Sequence, residues 1–345
     1  MNNDVTLVDQ PGDEGKRQPA AKDSRFGNVA LWGSGAQVRT LVRDYGTFIP
    51  FVAIFIWLAI DAPSFLSLHN IANLLDQNSG LGIVACGATI VMIAGSFDLS
   101  LGAIFALSGI VAVDVANAGS PVEGFVAGIA VGAAAGLLNG VLVTVFRVNA
   151  FLATLATTLV FGGICTWITG GFEVNSNGPS FAWIGTATAG DFTASTLIFF
   201  GWVIVTAIVL SLTVFGRHTY AVGGNAEAAR LAGIQVNLIR TATFVLGGTS
   251  ASLAGVISAS RFTSGNPDVP TTLALNAIAA VVIGGTSLFG GSGAIWRTVV
   301  GVLFLGMVVN GFNLLNWLPF TQDIATGAII VIAVALNTWT SQRSR

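Results

Sequence analysis

Apolar residues run along this chain in blocks too many and too long for one soluble core, separated by short polar segments. Ten blocks predict ten membrane-crossing helices, near 46–61, 78–96, 98–116, 122–144, 150–170, 194–215, 241–260, 272–290, 294–316 and 322–340. Spans of roughly 17–25 apolar residues are what a hydrocarbon core about 30 Å thick demands. The predicted class is all-α: a polytopic membrane protein of about ten transmembrane helices with both termini cytoplasmic. Residues 1–44 are polar, mixed in charge and rich in small residues, which predicts a flexible cytoplasmic tail. Residues 45–340 form the predicted transmembrane domain, and 216–240 its most polar inner loop. No apolar run follows within the first thirty residues, so the start does not read as a signal peptide.

Charge tests this threading. Only 9% of the residues are charged, against 53% apolar. With the N-terminus inside, thirteen of the fourteen Lys and Arg residues fall on the inner side, and Arg261 alone falls outside. Basic residues in short loops set orientation, so the inverse topology is disfavoured. Asp61, Glu123, Glu173, Asp191 and Asp268 all land outside. A nine- or eleven-span threading would move either Arg217, Arg230 and Arg240 or the N-terminal basic cluster to the wrong side. The net charge of −2 leaves no nucleic-acid footprint. Cys86 and Cys165 sit in different apolar spans and read as small packing residues. His69 and His218 fall on opposite sides and cannot share a metal. No loop after the tail is long enough for a soluble domain, so energy must come from other chains or from an ion gradient.

Within the spans, Gly124, Gly128, Gly132, Gly136 and Gly140 recur every fourth residue. That spacing makes a ridge on which a neighbouring backbone packs closely, either as static packing or as a sliding surface. Gly247, Ala251 and Gly255 repeat it on a smaller scale. Asp98, in Gly95-Ser96-Phe97-Asp98-Leu99-Ser100, sits at a turn between two spans, where a buried charge must face protein or water. It reads first as a cap on the following helix and second as a translocation residue. Ser100, Asn139, Asn276, Asn310 and Asn313 join it as candidates for a polar pathway or gate, although the asparagines could equally bond between helices. Neither Lys nor His lies mid-span, and no second acid lies mid-span to accompany Asp98, which leaves the chain poorly equipped for ion-coupled transport.

The glycine-rich run 284–293 fails as a phosphate loop, because Gly290 is followed by Gly291 and Ser292 rather than by Lys and a hydroxyl residue. It predicts a sharp reversal at the inner end of the eighth span, and the chain itself is expected to bind neither ATP nor any other cofactor. Val91-Met92-Ile93-Ala94-Gly95-Ser96 faintly echoes Val281-Val282-Ile283-Gly284-Gly285-Thr286. In the inner loop, Asn225 is placed to cap a short helix over 226–232, with Glu227 in its first turn, Arg230 near its end and Gly233 as the left-handed exit. Such a helix could present a compact surface to a partner's groove.

These residues resemble a family. Glu227-Ala228-Ala229 with Gly233 is similar to the start of the EAA signature of ABC importer permeases, without its later Ile-x-Leu-Pro element. The whole of 216–234 resembles the ribose-type branch, as do Ile93 to Gly102, Gly136 to Gly140, Val148 to Leu155, Ala277 to Leu288 and Asn310 to Leu315. Asn276 and Ala274 stand at positions that are often acidic in such relatives.

The resemblance implies the permease subunit of a monosaccharide importer in the bacterial plasma membrane, two copies forming a pore among the lipids. An ATP-binding subunit would lie beneath and an extracytoplasmic sugar-binding protein above. Arg217, Asn225, Glu227, Ala228, Ala229, Arg230 and Gly233 would then couple the ATPase to the pore. The rivals are a permease for branched-chain amino acids or nucleosides, an ion-coupled carrier working alone, and an intramembrane enzyme. No paired Asp, Ser–Lys or His-rich pattern supports the enzyme.

Overall fold

The computed structural model describes residues 48–331, leaving out 270, 319, 323, 329 and 330. The predicted tail, both termini and most of the tenth predicted span lie outside the described residues. The helices are α1 (Phe48–Asp61), α2 (Leu68–Ile93), α3 (Leu101–Ala118), α4 (Pro121–Thr144), α5 (Ala150–Thr169) and α6 (Trp183–Thr186). They continue as α7 (Ala194–Leu212), α8 (Val214–Gly224), α9 (Ala226–Leu231), α10 (Val236–Phe262), α11 (Thr271–Ile283) and α12 (Ile295–Leu314). Each of the first nine predicted spans overlaps one of these helices. Seven of them, α2, α3, α4, α5, α7, α10 and α12, are long and apolar enough to cross a membrane. Two-residue strand pairs, Val174–Asn175 with Ser264–Gly265 and Thr188–Ala189 with Phe192–Thr193, tie the connections at one end.

Helices α2, α3, α10 and α12 bury most of their length, whereas α5 and α7 expose theirs. The exposed side chains there are Leu159, Val160, Trp167, Ile204 and Leu212, the surface expected of helices that face lipid. The α4 ridge sits in the middle of the bundle. A Cβ on Gly124 or Gly128 would overlap α3 around Ala112 and Ser108, and one on Gly132, Gly136 or Gly140 would overlap α10 between Thr241 and Ser252. Gly248 of α10 meets Gly132 and Gly136 in return, so two backbones touch with nothing between them. Gly247 and Gly255 face elsewhere, toward Val91 and the Phe105 carbonyl respectively. The expected second ridge therefore serves α2 and α3, while the residues of α10 that meet α4 lie one position along.

Three boundaries differ from the sequence pattern, each for a local reason. Helix α2 begins at Leu68 rather than near 78, because the Ser67 hydroxyl accepts the Asn70 N–H and its polar first turns find partners. Asn70 exchanges amide bonds with Asn310 at 2.9 and 3.1 Å, and Asp76 pairs with Arg261 at 2.7 Å. That ion pair accounts for the one basic residue on the acidic side. The predicted polar loop 216–240 is mostly helical: the chain breaks at Thr213, whose hydroxyl accepts the Gly216 N–H, and restarts as α8. Helix α11 stops at Ile283, well short of the predicted 290, and the glycine run carries on as irregular backbone.

Candidate functional site

At the end of the bundle that carries Arg147, Arg217, Arg230, Arg240 and Arg297, two helix–turn–helix units meet. Both first helices end alike. The Gly95 N–H bonds to Met92 O and the Ser96 N–H to Val91 O; the Gly285 N–H bonds to Val282 O and the Thr286 N–H to Val281 O. Gly95 and Gly285 take φ of 77° and 85°, the left-handed exit that glycine permits. The six-residue echo is thus a shared helix ending. The two turns also touch: the Gly291 N–H bonds to Ile93 O at 2.9 Å, and Gly290 packs on Gly95. Gly223 of α8 lies between them, where a Cβ would overlap both Ile93 O and Gly291 N. The Tyr220 hydroxyl donates to Gly293 O at 2.8 Å, fixing α8 to the glycine run. Burial pushes the Tyr220 phenol above its ordinary pKa, with the Arg297 charge acting against it, so the donor keeps its proton.

Beyond the first turn lies a buried polar chain. The Asp98 Oδ1 accepts the Ser100 N–H at 2.9 Å and the Ser100 hydroxyl at 2.6 Å, and the Ser100 Oγ accepts an Asn139 amide hydrogen at 2.7 Å. All three residues are buried, Ser100 and Asn139 completely. Asp98 Oδ2 and Asn139 Oδ1 have no hydrogen-bond partner among the described residues. The cap position of α3 belongs to Ser100, not Asp98, and Ser100 makes no side-chain cap bond. The carboxylate instead folds the turn just before the helix and holds it to α4. Thr154 of α5 adds a third element, its hydroxyl accepting the Leu99 N–H at 3.2 Å.

The remaining asparagine candidates lie apart. Asn310 bonds Asn70, and the Asn313 Oδ1 accepts the Gln322 amide at 2.9 Å. Asn276 is half-buried on α11. The structure therefore brings together Asp98, Ser100 and Asn139, and leaves Asn276, Asn310 and Asn313 elsewhere.

Helix α9 projects from this end. Asn225 caps it, its Oδ1 accepting the Glu227 and Ala228 N–H groups at 3.0 Å, and Gly233 leaves it at φ 84°. Glu227 and Arg230 form an ion pair of 2.7 Å while remaining largely exposed. Ala229 turns inward onto Val222, Val236 and Ile239, a small cluster that roots the helix. Arg217 and Ala228 are exposed. Tyr220, Gly223 and Thr154 were not singled out from sequence. A tyrosine and a glycine inside a polar loop carry no periodic signal, and their importance comes from distant chain segments meeting them.

The family model described as branched-chain amino acid transport system / permease component matches residues 70–334. The chain belongs to this permease family. Among relatives, the ribose import permease protein RbsC of Escherichia coli (strain K12) is 39% identical over 297 residues, 83% of this chain and 92% of that protein. The L-arabinose transport system permease protein AraH of the same strain is 37% identical over 324 residues, covering 92% of this chain and 99% of its own length. RbsC of Bacillus subtilis (strain 168) is 39% identical over 300 residues, 86% and 93% of the two chains. No solved structure matches. Family membership and seven apolar helices make this permease a multi-pass membrane protein.

Proposed function

We propose that this permease is the membrane-spanning subunit of an ATP-driven importer that brings a monosaccharide into a bacterial cell across its plasma membrane. The observation that carries the reading is end-to-end likeness to ribose and arabinose permeases, which leaves almost no part of the chain for another task. ATP hydrolysis belongs to a partner subunit that grips α9, and the sugar is delivered by an extracytoplasmic binding protein. Two copies of the chain enclose the path.

The geometry supports a route for the stroke. Force on Glu227, Arg230 and the cap Asn225 is carried by Ala229 into the Val222 cluster. From there Gly223 and Tyr220 pass it to the paired turns at Gly95 and Gly290. The first turn bears Asp98, whose link through Ser100 to Asn139 ties its motion to α4. A small shift at α9 thereby becomes a shift between packed helices, the usual form of such transitions.

The test is reconstitution of the chain with its ATP-binding subunit and binding protein in sealed vesicles. Labelled ribose or arabinose should enter only with all three components and ATP. Accumulation by the chain alone would overturn the reading. The family description names branched-chain amino acids, so leucine and ribose should be offered together; uptake of leucine in place of ribose would establish that rival.

A further inference from the structure

A cavity of about 1070 Å³ opens at the basic end, between the α4–α5 turn, the start of α10 and the turn after α2. Its wall holds Arg147, Arg230 and Arg240 together with the amides of Asn149 and Asn237, and contains neither Asp nor Glu. Three guanidinium groups around one space repel each other until an anion enters. Arg147 and Arg240 form no ion pair among the described residues, and Arg230 has only the exposed Glu227. The Arg240 Nε is buried with no hydrogen-bond partner among the described residues.

Two backbone features point the same way. Helix α5, twenty residues long, begins at this wall; the Asn149 Oδ1 caps its Phe151 and Leu152 N–H groups, so its dipole adds a diffuse positive field there rather than free donors. Arg147 holds a left-handed φ of 57°, unfavourable for a residue with a side chain, and that bend keeps it in the wall. Exposed apolar side chains adjoin wall residues along the chain: Phe146 beside Arg147, Leu152 beside Phe151 and Leu238 beside Asn237.

We propose that this cavity binds a phosphate group, carried by an anionic phospholipid of the cytoplasmic leaflet or by a soluble phosphate. Guanidinium groups clamp phosphate oxygens through paired N–H donors, and the asparagine amides add neutral ones. The flanking apolar residues suit acyl chains and favour the lipid as carrier. Because the wall joins Arg230 of α9 to Ser96 and Phe97 of the first turn, a bound phosphate ties the coupling helix to that turn. That consequence rests on the function proposed above; the binding itself does not.

The experiment uses the full chain purified with its ATP-binding subunit, in nanodiscs of phosphatidylcholine with and without phosphatidylglycerol. Native mass spectrometry counts retained phosphatidylglycerol, and inorganic phosphate is titrated separately into the phosphatidylcholine discs. Wild type should retain phosphatidylglycerol or bind phosphate. The double variant Arg147→Gln/Arg240→Gln should weaken this roughly tenfold or more. Arg147→Lys/Arg240→Lys should restore part of it, and Arg261→Lys, which at the other end of the bundle keeps its charge beside Asp76, should leave this binding unchanged.

Retention of the lipid, with or without binding of phosphate, assigns the lipid as source, and binding of phosphate alone assigns the soluble one. Binding of neither probe, or equal binding by the glutamine variant, would overturn the proposal. ATP-driven sugar uptake is measured in parallel. Its absence in wild type would sink the importer reading and leave the binding result standing.

Discussion

At the scale of single residues, the buried chain Asp98–Ser100–Asn139 is the sharpest feature. Asp98 works through one oxygen, which accepts two hydrogens from Ser100. Asn keeps an oxygen there, so Asp98→Asn should retain most ATP-driven uptake. Asp98→Leu leaves the Ser100 N–H and hydroxyl buried without an acceptor. It should destabilise the permease by about 1–3 kcal/mol and abolish uptake. Thermal unfolding in detergent together with vesicle uptake checks both; equal loss in the two variants would mean that the negative charge itself is required. Tyr220→Phe removes one donor to Gly293 O and nothing else. It should cost about 0.5–1.5 kcal/mol and lower uptake more than it lowers folded yield.

At the scale of elements, α9 and α4 make opposite demands. Glu227→Arg breaks an exposed ion pair worth at most about 1 kcal/mol, so the chain should still insert and fold. Gly233→Pro cannot adopt φ 84° and loses the N–H that bonds Arg230 O, which disorders the end of α9. Both should stop ATP-dependent uptake while membrane fractionation shows normal insertion. Gly136→Val instead drives a side chain into the Phe244 carbonyl at the α4–α10 contact. Overpacking of this kind costs about 1–3 kcal/mol or more, and here the loss should appear as low yield of folded protein.

These elements also show how far the sequence could be read. The α4 ridge and the Asn225-capped helix were legible because each is a local pattern with a fixed period or offset. The early start of α2 was hidden, since Asn70, Asp76 and Asn78 lower its hydropathy and only distant partners or its own backbone satisfy them. The role of Asp98 was half legible: a polar partner was required, but that Ser100 takes the cap and Asn139 completes the chain depends on how α3 meets α4.

For the molecule as a whole, the division of labour sets the behaviour. The described chain offers a rigid bundle, one rooted helix at its basic end and a ring of arginines beside it. Added alone to vesicles it should show no concentrative uptake, and its ATP dependence should appear only with the partner subunit present. A substrate gradient formed by the chain alone would contradict that arrangement.

The thirteen residues of α11 reach only about 20 Å at 1.5 Å per residue, too little to cross the hydrocarbon core unaided. Such a segment has a weak claim to leave the insertion machinery sideways as a single rod. Joined by its glycine turn to the twenty-residue α12, it can be released as a hairpin, after the Gly95 turn and Gly223 that receive the glycine turn have already been synthesised. Lengthening the linker between the two should strand α11 on the wrong side during biogenesis, a fate that glycosylation tags on its flank would record.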